Sequence, residues 1–235
     1  MVENYSLLIP SRKEIAIFRR RIISWYKKNG RLYPWRKEKD PFKVLVAEMM
    51  LRRTKADQVV PVYEQFCREF PDVETLAKAN HEAVKKILHP LGLKWRVPAF
   101  PMMAREVVEK YNSRIPDNRE ELISLQGVGE YVAGAVLSIA YGKNEWLVDS
   151  NIVRIFKRYF GIKTSKEGRR DKHVIQMAKI YASGKDPGRA TMGILDMTAL
   201  ICKAAKPACE RCPLRKRCHY VLSPGEDSSG HGTRI

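Results

Sequence analysis

Residues 125–161 read LQGVGEYVAGAVLSIAYGKNEWLVDSNIVRIFKRYFG. Two helices are written into this stretch. Gly127-Val128-Gly129 is a tight turn opening a helical run over 130–141, in which Tyr131, Gly134, Ala135 and Ser138 share one face by i, i+3, i+4 spacing. Asp149-Ser150 starts the next helix, near 151–159. A Gly-x-Gly turn at the head of a helix exposes backbone N–H groups at a positive dipole end, which suits a phosphate. With a short helix expected near 118–124, the pattern is a helix–hairpin–helix, able to grip one DNA strand without reading its bases. The same turn also serves ordinary helix packing. The small residues beside it allow either close packing or a pocket below Tyr131.

The helical period continues outward in both directions. Ser11 and Glu14 form a capping box ahead of Ile15, Ile17, Phe18, Ile22, Ile23 and Tyr26, a run that Gly30 stops. Asp40-Pro41 is an N-cap followed by a first-turn proline, opening FKVLVAEMML. Thr54 is the expected cap of KADQVVPVYEQFCREF, with a kink or a late start at Pro61. Shorter segments follow near 73–79 and 81–88, and a longer one near 96–111. No period-two strand or Asn-Gly hairpin stands out. The fold class is therefore all-α, with many short helices.

Lys and Arg number 44 against 26 Asp and Glu, a net charge of +18 on 235 residues. With 44% hydrophobic and 30% charged residues, the chain suits one or two compact domains. Basic and apolar residues are interleaved, which excludes a disordered polycation. No apolar run approaches the roughly 18 residues of a membrane span. The start, MVENYSLLIP, lacks the basic region of a secretory signal. The expected setting is intracellular, with no membrane partner. The positive surplus favours a polyanion, nucleic acid above all.

Three features carry chemistry. Cys202, Cys209, Cys212 and Cys218 read C-x6-C-x2-C-x5-C within 17 residues, interspersed with Lys203, Lys206 and further basic residues. Four soft sulfur ligands so close together suit tetrahedral zinc or a [4Fe–4S] cluster alike. Cys67, alone in VYEQFCREF, reads as a small buried hydrophobe. Asp149 is either a plain N-cap or a catalytic carboxylate at a helix N-terminus, and the two readings are compatible. Glu48 is the only acid on a strongly apolar helix, with Arg52 at i+4. It forms an intrahelical pair or, in a closed pocket, a proton donor of raised pKa.

Taken together the chain resembles the helix–hairpin–helix DNA glycosylases with an iron–sulfur cluster, the endonuclease III and MutY group. The resemblance runs from about Arg31 to Tyr220. It is carried by Tyr33-Pro34-Trp35-Arg36, Asp40-Pro41-Phe42, Glu48-Met49-Met50-Leu51, Gly127-Val128-Gly129, Val148-Asp149-Ser150-Asn151 and the four cysteines. It implies a [4Fe–4S] cluster and a cleft between two helical domains. These are a six-helix barrel with the hairpin over 31–135, and a cluster domain from 1–30 plus 136–221. A Gly/Ser-rich flexible tail, 222–235, follows. It implies a monomer acting on double-stranded DNA that contains a mismatch, in the cytoplasm and at the nucleoid.

The resemblance also implies the reaction. A glycosylase extrudes one nucleotide and cleaves its N-glycosidic bond through an oxocarbenium-like state, which an ionised carboxylate stabilises. Asp149 matches the family's catalytic aspartate. Bifunctional members carry a lysine two residues after the second hairpin glycine, where an amine attacks C1′. Here that residue is Tyr131, so the expected enzyme has no lyase step. Leu51-Arg52-Arg53-Thr54 and Leu91-Gly92-Leu93-Lys94-Trp95 depart from the adenine-removing branch. They are similar to archaeal-type thymine mismatch glycosylases, as is the short C-terminus. The expected substrate is thymine or uracil opposite guanine. On this reading Tyr131 lines the thymine pocket and Glu48 meets the flipped base or a water. Arg52 or Arg53 fills the emptied stack or binds the orphan guanine, and Asn151 holds Asp149 or the sugar phosphate. Gly127, Val128, Gly129, Lys203 and Lys206 contact DNA. Gln126 stands where the family commonly has proline, which bears on turn rigidity. The rivals are an adenine glycosylase lacking its 8-oxoguanine-checking domain, and a helix–hairpin–helix DNA-binding protein without catalysis.

Overall fold

The structure is a computed structural model, and it describes residues 9–92 and 94–223. Among these residues there is no strand. The α-helices in chain order are α1 (Arg12–Asn29), α2 (Pro41–Met50), α3 (Ala56–Glu69), α4 (Val73–Lys78), α5 (His81–Leu88) and α6 (Ala99–Tyr111). They continue with α7 (Arg119–Ser124), α8 (Glu130–Ile139), α9 (Ser150–Phe160), α10 (Lys172–Ala182), α11 (Pro187–Leu200) and α12 (His219–Leu222). Local chemistry sets most of the starts. The Ser11–Glu14 capping box is complete, and Asp40, Asp72, Asn80, Asn118, Asp149 and Asp171 each cap a helix through a side-chain oxygen. Thr54 is not a cap: α3 starts after Lys55 and runs through Pro61.

The chain forms two compact units. One comprises Arg31–Leu147 with Lys185–Gly188, and so holds α2 to α8. In it α2 packs against α8, and α4 against α6. Val44 through Ala47, Met50, Phe66, Phe100 and Leu122 fill its interior. The other unit joins the chain up to Gly30 with Val148–Gly184 and the chain from Arg189 onward. Its core is an aromatic cluster in which Phe18 of α1 meets Phe156, Tyr159, Phe160 and Tyr181 at centroid distances of 4.7–5.9 Å.

A boundary at residue 135 does not hold. It would cut α8, whose residues Val132 to Ile139 are all buried, and a helix packed along its length cannot be shared out at mid-turn. The divide falls after Leu147 because Arg119 and Gly134 bind the segment beyond α8 back to its own unit. Arg119 pairs with Glu130 and Glu145, both at 2.7 Å, donates to the Trp146 carbonyl and lies 4.3 Å from the Trp146 ring centroid. The expected tail begins later than 222, since Leu222 still belongs to α12, and residues 224–235 lie outside the described residues.

Candidate functional site

The predicted site residues fall on both units. In the unit holding α9, Asp149 is half-buried and stands at the N-cap. Its Oδ1 accepts from the Ile152 N–H at 2.8 Å, and its Oδ2 accepts from Asn151 Nδ2 at 2.6 Å. Asn151 is oriented in turn, because its Oδ1 accepts from Arg154 Nη1 at 2.8 Å. Arg154 spends its remaining donors on backbone: Nε and Nη2 reach the Cys202 carbonyl at 3.0 and 2.9 Å, and Nη2 the Thr198 carbonyl at 3.2 Å. The carboxylate is thus aimed by a chain of charge-assisted bonds that ends in the cysteine loop. Arg154 was not legible as a functional residue. Its only signal is its place three residues after Asn151, on the same helical face.

The cysteine loop is a succession of tight turns. Residues Cys209–Arg211 and Arg215–Arg217 are 3₁₀ turns, closed by Cys212 N–H donating to the Cys209 carbonyl and Cys218 N–H to the Arg215 carbonyl, both at 3.2 Å. Arg158 clamps the loop from α9, through the Lys203 carbonyl at 2.6 Å, the Ala204 carbonyl at 2.9 Å and Cys202 Sγ at 3.7 Å. Lys203 and Lys206 are exposed, and the Lys203 backbone is held by the Arg158 bond and by its own N–H donating to the Ile201 carbonyl. Burial pushes the Cys212 thiol up to about 11, the Leu214 N–H opposes this, and Cys218, Cys202 and Cys209 raise it further. The four sulfurs therefore lie within one another's electrostatic reach. Their donor chemistry fits a four-thiolate group, although among the described residues no three ligating side chains form a ready-made ion site.

In the other unit Gly127 adopts φ +80, and an added Cβ would come within 2.8 Å of Ala99 Cβ, so both conformation and space demand glycine. Gln126 uses the N–H that a proline would lack, donating to Glu106 Oε2 at 2.8 Å, so a hydrogen bond here does the work of ring rigidity. Gly129 caps α8 with no side-chain hydrogen bond to the first turn. Tyr131 is half-buried in that turn. One turn on from Tyr131, Gly134 leaves no space for a side chain: a Cβ there would sit 2.1 Å from the Trp146 carbonyl oxygen. Close backbone packing is the reason for glycine at this position.

Glu48 is buried in α2 at 2% exposure. Arg52 is not its i+4 helical partner. The helix ends at Met50, and Arg52 donates Nη1 to the Gly127 carbonyl at 3.0 Å, tying its turn to the hairpin. Arg53 follows in the left-handed region at φ 62, and both arginine side chains are exposed. Next to them stands a pair that the motif reading missed. Trp95 is 72% exposed, and Arg96 behind it is 7% exposed. The signal for them was an aromatic set among basic residues in a glycine-containing turn.

Residues 46–182 match the model of the HhH-GPD superfamily base excision DNA repair proteins. The chain is 38% identical over 219 residues to a thymine-DNA glycosylase of Aeropyrum pernix, covering 91% of this chain and 98% of that protein. It is 40% identical over 213 residues to a thymine/uracil-DNA glycosylase of Pyrobaculum aerophilum, covering 88% and 92%. A solved structure of a thermostable thymine-DNA glycosylase superposes with a TM-score of 0.84 at 32% identity, covering 89% of this chain and 97% of the other. With the hairpin glycines and Asp149 inside the matched span, the chain belongs to the HhH-GPD superfamily of base excision DNA repair proteins.

Proposed function

We propose that this protein is a monofunctional DNA glycosylase that removes thymine or uracil opposite guanine. The observation that carries the chemistry is Asp149, a carboxylate with one oxygen on the α9 backbone and the other on Asn151. A negative group fixed before the reaction needs no reorganisation as positive charge develops on the sugar, which makes it an efficient oxocarbenium stabiliser. The choice of thymine is supported by likeness to thymine glycosylases over nearly the whole of both chains. A mispaired base is also the cheaper one to unstack and flip.

The remaining residues have supporting roles. The first-turn amides of α8, with the Gly127–Gly129 turn, hold phosphate, and Arg52 or Arg53 meets the orphan guanine or the gap left in the stack. Glu48 hydrogen-bonds the flipped pyrimidine or positions the attacking water. Tyr131 has no amine for a Schiff base, so hydrolysis leaves an intact abasic strand. Cys202, Cys209, Cys212 and Cys218 would hold a [4Fe–4S] cluster, which when bound fixes the loop that presents Lys203 and Lys206 to DNA. Single-turnover assays on G:T, G:U, G:A and 8-oxoG:A duplexes, with and without alkali, test this reading. Cleavage confined to the guanine mispairs and visible only after alkali is expected. Cleavage of 8-oxoG:A would instead favour an adenine glycosylase, and no cleavage a DNA-binding protein.

A further inference from the structure

Arg96 is an unusual core residue. It is 7% exposed, and among the described residues its buried Nε has no hydrogen-bond acceptor, while the Arg52 and Arg53 charges beside it are repulsive. Burial and those two neighbours hold its pKa below the ordinary arginine value. An apolar side chain of similar size would avoid both penalties. What the guanidinium does make is specific. Nη1 donates to the Arg52 carbonyl at 2.7 Å, one residue past the end-cap of α2 and just before the left-handed Arg53. Its planar face lies 4.4 Å from the centroid of the Trp95 ring. Arg52 then reaches the Gly127 carbonyl. A continuous set of contacts therefore runs from an exposed indole, through Arg96 and Arg52, to the hairpin.

We infer that Arg96 is a positioning residue, which locks the exposed Trp95 ring and the Arg52–Arg53 turn into one rigid surface for duplex DNA at a set distance from the hairpin. An indole left 72% exposed offers a stacking face to a base, and such stacking is useful only when the ring is held still. A guanidinium can hold both elements because it has a donor edge for a carbonyl and a flat face for a ring. A methionine has neither, and a lysine has only the charge. The inference rests on the reading of the protein as a glycosylase of mispaired duplexes.

The test is a double-mutant cycle on the full chain with a G:T duplex under single turnover. Arg96→Met should unfold at an unchanged temperature yet lose cleavage on the order of ten- to a hundredfold, the scale expected when a binding surface is displaced by about 1 Å. The double variant Arg96→Met/Trp95→Ala should lose less than the product of the two single losses, because the Trp95 part of the surface is already gone, while the freed Arg52–Arg53 turn still costs some rate. Losses that multiply, or an Arg96→Met enzyme as fast as the parent, overturn the inference. Should Arg96→Met fail to fold, Arg96→Lys carries the same cycle. A second readout does not depend on activity. Trp95 emission, isolated as the difference between parent and Trp95→Phe, should be quenched by saturating duplex in the parent and not in the Arg96 variant. Equal quenching in both overturns the positioning role. An inactive parent with this quenching pattern would sink the glycosylase reading instead.

Discussion

Replacing Asp149 by Asn separates the structural work of this residue from its chemical work. The amide oxygen can keep the cap bond to the Ile152 N–H, now at 2.8 Å, and Asn caps a helix about as well as Asp, so that change is worth only a few tenths of a kcal/mol. The other oxygen becomes an NH₂ group facing Asn151 Nδ2, 2.6 Å away in the native pair. Asn151 cannot simply turn its own oxygen round, because Arg154 holds that oxygen at 2.8 Å. A charge-assisted bond worth about 1.5–3 kcal/mol is thus exchanged for two opposed donors, part of which entering water offsets. A net loss of about 1–2 kcal/mol is expected, against total stabilities of roughly 5–15 kcal/mol, so the variant folds. Base removal should fall by at least the order of 10²–10³ typical of a lost electrostatic stabiliser. Adding Asn151→Asp restores an acceptor for the new amide and a salt-bridge partner for Arg154. Stability should return in urea titrations while single-turnover cleavage stays lost. A single variant within tenfold of the parent, or a double variant that regains cleavage, would refute the assignment of the charge at Asp149.

Three further outcomes are expected. Gly134→Ala places a Cβ 2.1 Å from the Trp146 carbonyl oxygen, so denaturant unfolding should show a loss of about 3 kcal/mol, the upper end of overpacking costs. Tyr131→Lys introduces an amine two residues after Gly129, and should gain borohydride-trapped DNA complex and strand nicking that the parent lacks; efficient trapping by the parent would mean that another lysine reaches C1′. The purified protein should contain iron and absorb broadly in the visible, and Cys212→Ser should lose both and weaken duplex binding most at raised salt. A colourless, zinc-loaded protein would contradict the cluster proposal.

What could be read from the chain was what local chemistry decides. The Ser11–Glu14 box, the Asp40-Pro41 start and the Asp149 cap depend on neighbours within four residues, and each is found as expected. Asn151 also lies within that range, and its bond to Asp149 follows. Residues whose partners are distant in sequence were hidden. Spacing offers Glu48 as the rival partner of Arg52, yet the helix stops at Met50 and Arg52 donates to the Gly127 carbonyl, 75 positions away. Arg154 and Arg158 act on the cysteine loop more than 40 positions on. The domain boundary was misplaced because the contacts that keep residues 140–147 with α8 come from Arg119 and from the missing side chain of Gly134. Neither has a periodic signature.

The most direct test of the central claim identifies the base that leaves. Two duplexes of one sequence, differing only in G:T against A:T at a single position, are incubated with excess enzyme, and the released base is identified by mass spectrometry. Free thymine from the G:T duplex, none from A:T, and an unbroken abasic strand are predicted. Release of adenine, release of thymine from both duplexes, or no release from an intact, DNA-bound protein would contradict the account.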